Sequence, residues 1–268
     1  MEEFTKESVR ELVSAFVREY AGNHGDEALW REPLVGFAAA DSPYIRNLPE
    51  IVTPDHRLPE DFLPGAEAVI SYFIPFTEAL GHTNRSECPG AGEPGPGQSD
   101  DEPYASRAWA DAYAETNRMM EALDEMLVSR LRDAGYHGAV PHDIGLDPKT
   151  IMSPWSQRHI AYAAGLGTFG LNNLLITEQG CCGRFHSVIT DAPFPADPVL
   201  TEERCLFRRS GSCGVCAKRC FSGALTTAGF DRKRCYKVTV RNAARYGADK
   251  DVCGKCNVDL PCSYGIPR

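Results

Sequence analysis

Eight of the eleven cysteines fall in the last 64 residues, in two sets of the same form. The first is Cys205, Cys213, Cys216 and Cys220; the second is Cys235, Cys253, Cys256 and Cys262. Each has a leading cysteine, then a C-x-x-C pair, then a fourth cysteine. Thiols at this spacing build metal sites, because soft sulfur ligands select zinc, copper(I) or iron–sulfur clusters.

The spacing is similar to that of two-cluster bacterial ferredoxins, C-x2-C-x2-C-x3-C-P, in which the fourth cysteine crosses to the other cluster. Cys213, Cys216 and Cys220 keep the x2 and x3 gaps, while the leading cysteines stand further off. Phe221 and Ser263 replace the proline after each closing cysteine. The crossing rule of that template implies one [4Fe-4S] cluster on Cys205, Cys213, Cys216 and Cys262, and a second on Cys220, Cys235, Cys253 and Cys256. Two four-cysteine zinc sites are the main alternative, since paired C-x-x-C knuckles also bind zinc. Disulfides suit the chain least. The acidic start Met1-Glu2-Glu3-Phe4 is not a signal peptide, and no apolar run approaches the ~20 residues of a membrane span. Arg208-Arg209 lies too deep in the chain for a twin-arginine signal. The expectation is a cytoplasmic protein without a membrane segment, where thiols stay reduced.

The 268 residues, 43% hydrophobic, suffice for a sizeable core. The expected organisation is an α/β (α+β) domain over residues 1–200 and a ferredoxin-like module over 201–268. The net charge of −9 argues against broad nucleic-acid affinity. The charge is uneven, however: from Arg204 to Arg245 eleven Lys/Arg face one acid, Asp231. Two readings apply, compensation of anionic clusters and a docking face for an acidic electron donor.

Val9, Leu12, Val13, Phe16, Val17 and Tyr20 recur at helical spacing over residues 5–21, with Thr5 as N-cap. Residues 66–76 read as a core strand after the Pro64-Gly65 turn. Residues 87–103, rich in Pro, Gly and Asp, read as a long loop. A long helix is expected over 105–134, stopped by Gly135, and another over 154–164, ended by Gly165. Leu174–Thr177 and Ser187–Thr190 read as short strands. Gly165, Gly167 and Gly170 spell G-x-G-x-x-G, but a helix precedes them where a dinucleotide fingerprint needs a strand. These glycines are expected to let backbone pass close to a large flat group or to another strand.

The stretch from Trp155 through Ala163-Ala164-Gly165-Leu166-Gly167-Thr168-Phe169-Gly170-Leu171-Asn172-Asn173-Leu174-Leu175 resembles the AGLGW-x-G-x-N-x-LL segment of epoxyqueuosine reductases and their relatives. Arg184–Asp191, Cys213-Gly214-Val215-Cys216, Cys220–Leu225, Asp231 and Cys235 follow in the family's order. The resemblance covers about half the chain. Together with the related reductive dehalogenases, it implies a nitroreductase-like domain binding a cobalamin-type corrinoid, and an appended module with two [4Fe-4S] clusters relaying electrons to cobalt. It also implies a low-potential donor such as ferredoxin or flavodoxin. The corrinoid is expected against Gly165, Gly167 and Gly170, with Asn172 and Asn173 bonding its amide side chains.

Two departures separate the chain from epoxyqueuosine reduction itself. The family's proton-donating aspartate, three residues before a proline and seven before an arginine, aligns with Ile151 once Pro154 and Arg158 are matched. The chain also stops six residues after Cys262, without the helical-repeat extension that meets tRNA. The expectation is a reductase of a small molecule, with tRNA excluded as substrate. An electron-transfer protein without corrinoid and a zinc-stabilised binding module are the alternatives. Candidate catalytic groups are His159 as proton source, Arg158 to stabilise an anion, and Tyr162; Tyr104 and Tyr113 are further tyrosines of the required type. His142 and Asp143 sit in a proline-bounded loop, and Cys88, Cys181 and Cys182 read as structural thiols outside the two sets.

Overall fold

The computed structural model describes residues 4–26, 28–86, 103–142 and 145–268. The loop expected at 87–103 lies almost wholly outside these residues, as do Cys88 and Asp143. The described chain divides into two compact units, each discontinuous in sequence. The first comprises residues up to Pro75, then Arg118–Thr168 and Gly183–Glu202; the second comprises Phe76–Asn117, Phe169–Cys182 and Glu203–Arg268. The cysteine segment packs with two stretches from earlier in the chain, Phe76–Asn117 and Phe169–Cys182.

The first unit begins with α1 (Lys6–His24). The Thr5 hydroxyl accepts from Ser8 N at 3.2 Å while Thr5 N donates to Ser8 Oγ at 2.9 Å, and Gly25 closes the helix at φ +71°. Val9, Val13, Val17 and Ala21, four apart, form its buried stripe. Next come β1 (Leu34–Ala39), the short helices α2 (Pro43–Arg46) and α3 (Leu48–Ile51), and β2 (Ala68–Pro75). All eight residues of β2 are buried.

In the second unit α4 (Glu78–Ser86) is followed by α5 (Arg107–Asp133), a long helix whose residues from Arg118 onward belong to the first unit. Gly135, just beyond it, has φ +89°. Next in the chain, β3 (Gly138–Ala139) and α6 (Gln157–Ala163) belong to the first unit, β4 (Thr168–Phe169) divides between the two, β5 (Leu175–Ile176) belongs to the second and β6 (Gly183–Thr190) to the first. The helix α6 is shorter than its pattern suggests, because Ser156 is its N-cap and Pro154 stays in the preceding turn.

The sheet of the first unit runs β1-β2-β6-β3 and is antiparallel throughout, so the fold is α+β. Its two faces carry different layers. Tyr72, opposite His186, points to α5, where its hydroxyl donates to Asp124 Oδ1 at 2.8 Å. Ser187, opposite Ser71, points the other way; its hydroxyl accepts from Trp155 Nε1 at 3.1 Å and donates to Gln157 Oε1 at 2.7 Å. Covering on both faces explains why β2 is buried along its whole length. Asp124 is fully buried, and His186 Nδ1 lies 2.7 Å from its Oδ2, off the hydrogen-bonding line. Burial and the Asp124 carboxylate push the Tyr72 hydroxyl well above its ordinary pKa, so it remains a donor.

The second unit ends with α7 (Leu206–Ser210), α8 (Val215–Arg219) and α9 (Arg232–Tyr246). The Asp231 carboxylate caps α9 by accepting from Arg234 N at 2.9 Å. Asn242, buried on the same helix, accepts from Ala105 N at 2.9 Å through its side-chain oxygen.

Candidate metal centre

The two sets of cysteines exchange members in the fold of the second unit. Cys205 precedes α7, Cys213 lies between α7 and α8, Cys216 sits on α8, and Cys262 comes from the C-terminal loop. All four line one cavity, with Gly170, Asn172 and Ile176 among its other walls. Cys220, Cys235, Cys253 and Cys256 form the other quartet: Cys235 and Cys220 both raise the Cys253 and Cys256 thiols electrostatically. Cys220 Sγ also accepts from Leu225 N at 3.2 Å, as a thiolate would.

Burial is the largest influence on three of these thiols. It pushes Cys216 and Cys253 up to about 11 and Cys256 well above its ordinary value, and neighbouring thiols add to each shift. Cys262 moves the other way, because the Cys181 thiol, 3.9 Å away, hydrogen-bonds to its sulfur. Packed thiols that disfavour their own ionisation give up their protons when a bound metal cation stabilises the thiolates. Among the described residues no group of three or more Cys, His, Asp or Glu is placed to hold a single metal ion.

One buried donor supports the fit of a larger inorganic group. Trp109 is buried and its Nε1–H has no hydrogen-bond partner among the described residues. A Cβ built on Gly254, between Cys253 and Cys256, would meet Trp109 Nε1 at 2.5 Å. Glycine at φ +74° thus lets the indole lie against this knuckle, where a sulfur-rich cluster offers acceptors.

The residues expected to cradle a corrinoid are committed elsewhere. Gly165 has φ +73°, and the space of its missing Cβ is filled by the Pro198 carbonyl oxygen. A Cβ on Gly170 would meet Asn172 Oδ1 at 2.7 Å. Asn172 is buried and tied into the cysteine unit: its Nδ2 donates to Cys256 O at 3.0 Å and its Oδ1 accepts from Leu174 N at 3.3 Å. Gly167 is buried. Gly165, Gly170 and Asn172 therefore serve close packing and a turn, against a loop carbonyl and a neighbouring side chain and not against another strand, and these three do not fit as a ring cradle.

In the first unit, α6 brings two expected catalytic side chains beside Tyr44 of α2. The Tyr44 and Tyr162 rings are 4.8 Å apart, and His159 stacks on Tyr44 at 6.5 Å. His159 Nδ1 is 2.7 Å from Ser156 Oγ. Burial and then Tyr162 push the Tyr44 hydroxyl up to about 12. Arg158 is half-buried on the same helix. Tyr104 and Tyr113 lie in the second unit: Tyr104 sits between the Arg241 and Arg245 guanidinium groups at 4.3 and 4.4 Å, and the Tyr113 hydroxyl donates to Asp251 at 3.0 Å.

Solved structures of similar fold include reductases. An epoxyqueuosine reductase matches at TM-score 0.52 and 20% identity, over 96% of this chain and 68% of its own. The Bacillus subtilis enzyme, with its catalytic aspartate loop swung out of the active site, matches at 0.51 and 18%, over 96% and 67%. A catabolic reductive dehalogenase matches at 0.54 and 14%, over 87% of this chain and 30% of its own.

The chain shares the fold of epoxyqueuosine reductases and reductive dehalogenases.

No protein-family model matches it, and no curated protein does. Within this shared fold, Ile151 holds an unusual backbone. It is a β-branched residue at φ +57°, in a loop closed by Ile151 N to Asp147 O at 2.7 Å and Asp147 N to Met152 O at 2.9 Å. The Asp147 carboxylate accepts from Lys149 N and Thr150 Oγ1, which hold it below the ordinary carboxylate range. Neither Ile151 nor this ionised carboxylate is a proton donor at neutral pH. Tyr44, Trp109, Asn84 and Lys255 are the site residues that motif reading missed. Only the Ser42-Pro43 helix start hinted at any of them, by placing Tyr44 on a helix.

Proposed function

We propose that the protein is an iron–sulfur oxidoreductase that reduces a small molecule. The carrying observation is the pair of four-thiol groups, Cys205/Cys213/Cys216/Cys262 and Cys220/Cys235/Cys253/Cys256, each drawn from both sequence sets. On this reading the second unit is a two-cluster ferredoxin-like module, the first is a nitroreductase-like substrate domain, and the protein works in the cytoplasm. Two [4Fe-4S] clusters held by these thiols would supply electrons one at a time.

The chain's own residues set the entry and the proton supply. Helix α9 carries Cys235 and, around it, Arg232, Lys233, Arg234 and Lys237, of which Lys233, Arg234 and Lys237 are exposed. That field favours docking of an acidic low-potential donor, such as a ferredoxin or flavodoxin, on the helix that holds a ligand thiol. In the first unit, Tyr44 keeps its proton through the neutral range, His159 shares one with Ser156, and Arg158 is placed on the same helix to steady an anion. The fold supports a corrinoid as a further cofactor. Gly165, Gly170 and Asn172 do not fit as its cradle, and that observation favours a second reading, an electron-transfer protein without corrinoid.

Ile151 in place of an acid, and the net charge of −9, argue against tRNA, although one epoxyqueuosine reductase of this fold is seen with a modified tRNA stem loop. The dehalogenase is seen with 3-bromo-4-hydroxybenzoic acid. Rapid mixing of the anaerobic protein tests the proposal in two arms. Reduction by flavodoxin should slow several-fold between low and physiological salt, as charge steering requires. The reduced clusters should then be reoxidised by small halogenated aromatics or epoxides and not by epoxyqueuosine tRNA. Turnover of the tRNA, or reoxidation by no small acceptor, would contradict the reductase reading; the second result would leave the electron-transfer one.

A further inference from the structure

Lys255 is only 1% exposed, among the least accessible side chains of the protein. Lysine is almost never fully buried without a compensating group, since a bare ammonium in the interior costs several kcal/mol. Its position is built with care. Lys255 Nζ donates to Asn84 O at 2.6 Å. Asn84, itself fully buried on α4, donates through Nδ2 to Cys253 O at 2.9 Å and accepts from Ser106 N at 3.0 Å through Oδ1. The lysine stands between Cys253 and Cys256, on the knuckle that Trp109 covers, and its charge acts directly on the Cys253 thiol. Asn84 thus holds the ammonium through its backbone carbonyl, and the Cys253 carbonyl and Ser106 amide through its side chain, in a single buried network.

We propose that Lys255 is a built-in counter-ion for the group held by Cys220, Cys235, Cys253 and Cys256, and that it raises that group's reduction potential. The proposal rests on the cluster reading above. A four-iron cluster on four thiolates is anionic, and each electron added makes it more so. A fixed cation in the same dry pocket favours the reduced form. By Coulomb's law at an effective dielectric of ~20, a unit charge within ~10 Å shifts such an equilibrium by about tenfold. Thus Lys255 would set where an electron arriving near α9 comes to rest.

The test is an anaerobic redox titration followed by electron paramagnetic resonance, on the parent and on Lys255→Met, Lys255→Gln and Lys255→Arg. The relevant signal is the one that disappears in Cys220→Ser. In the uncharged variants its reduction equilibrium should fall by about tenfold, which is ~59 mV for a one-electron couple. Loading of this cluster only in the parent and Lys255→Arg would also support a counter-ion, since charge alone would then decide assembly. Uncharged variants that load with an unchanged or higher potential would overturn the proposal. So would failure of all three variants to load, because shape rather than charge would then be decisive. A parent devoid of iron and sulfide would remove the cluster reading itself, a result distinct from either.

Discussion

Replacing Cys220 by serine is expected to abolish the cluster of Cys235, Cys253 and Cys256 and to spare that of Cys205, Cys213, Cys216 and Cys262. In sequence Cys220 closes the first set, only four residues after Cys216. In the fold its electrostatic neighbours are Cys235's partners, Cys253 and Cys256, whereas Cys262 joins the other three around their own cavity. A serine oxygen is a poor ligand for a site that needs soft sulfur. Iron should fall from about eight to about four per chain, with one of two resonance signals retained. Loss of the Cys205/Cys213/Cys216 signal instead would refute the crossing.

Asp124→Ala should be the most damaging single change in the first unit. Asp124 is fully buried, accepts from the Tyr72 hydroxyl at 2.8 Å, and lies 2.7 Å from His186 Nδ1. Removing it strands two buried polar groups from neighbouring strands and leaves a cavity under α5. Breaking a buried charged contact typically costs roughly 3–5 kcal/mol. Tyr72→Phe, which removes one hydrogen-bond donor while leaving the ring, should cost only ~1 kcal/mol. Denaturant unfolding followed by near-ultraviolet circular dichroism measures both. Equal losses in the two variants, or a loss under 1 kcal/mol for Asp124→Ala, would show that the network does not hold the sheet to the helix.

Features fixed by local chemistry were legible in the sequence. Ligand spacing pointed to the eight cysteines, and the ferredoxin-like crossing implied the two quartets that the fold assembles. Thr5, the valine stripe, Gly135 and Gly165 marked helix ends within a few residues. The strand β1 was not legible: Gly36 interrupts its alternation, because Gly36 packs against the Ala164 carbonyl oxygen and no side chain fits there. Helix α9 was hidden because its cysteine and arginines drew attention to the metal module rather than to its periodicity.

The glycine segment was only partly legible, for a different reason. A G-x-G-x-x-G string reports that backbone comes close to something, but not what. Here the neighbour of Gly165 is Pro198, more than thirty residues downstream, which no local pattern announces. Lys255 was invisible for the opposite reason: a lysine in a C-x-x-C knuckle reads as solvated until its burial and its bond to Asn84 are seen. The Tyr72–Asp124–His186 network joins three separate elements whose pairing only the sheet register reveals.

The central claim is that the two quartets of thiols hold iron–sulfur clusters. Metal and acid-labile sulfide analysis of anaerobically purified protein tests it most directly. The account predicts about eight iron and about eight sulfide per chain. Stoichiometric zinc with no labile sulfide would contradict it.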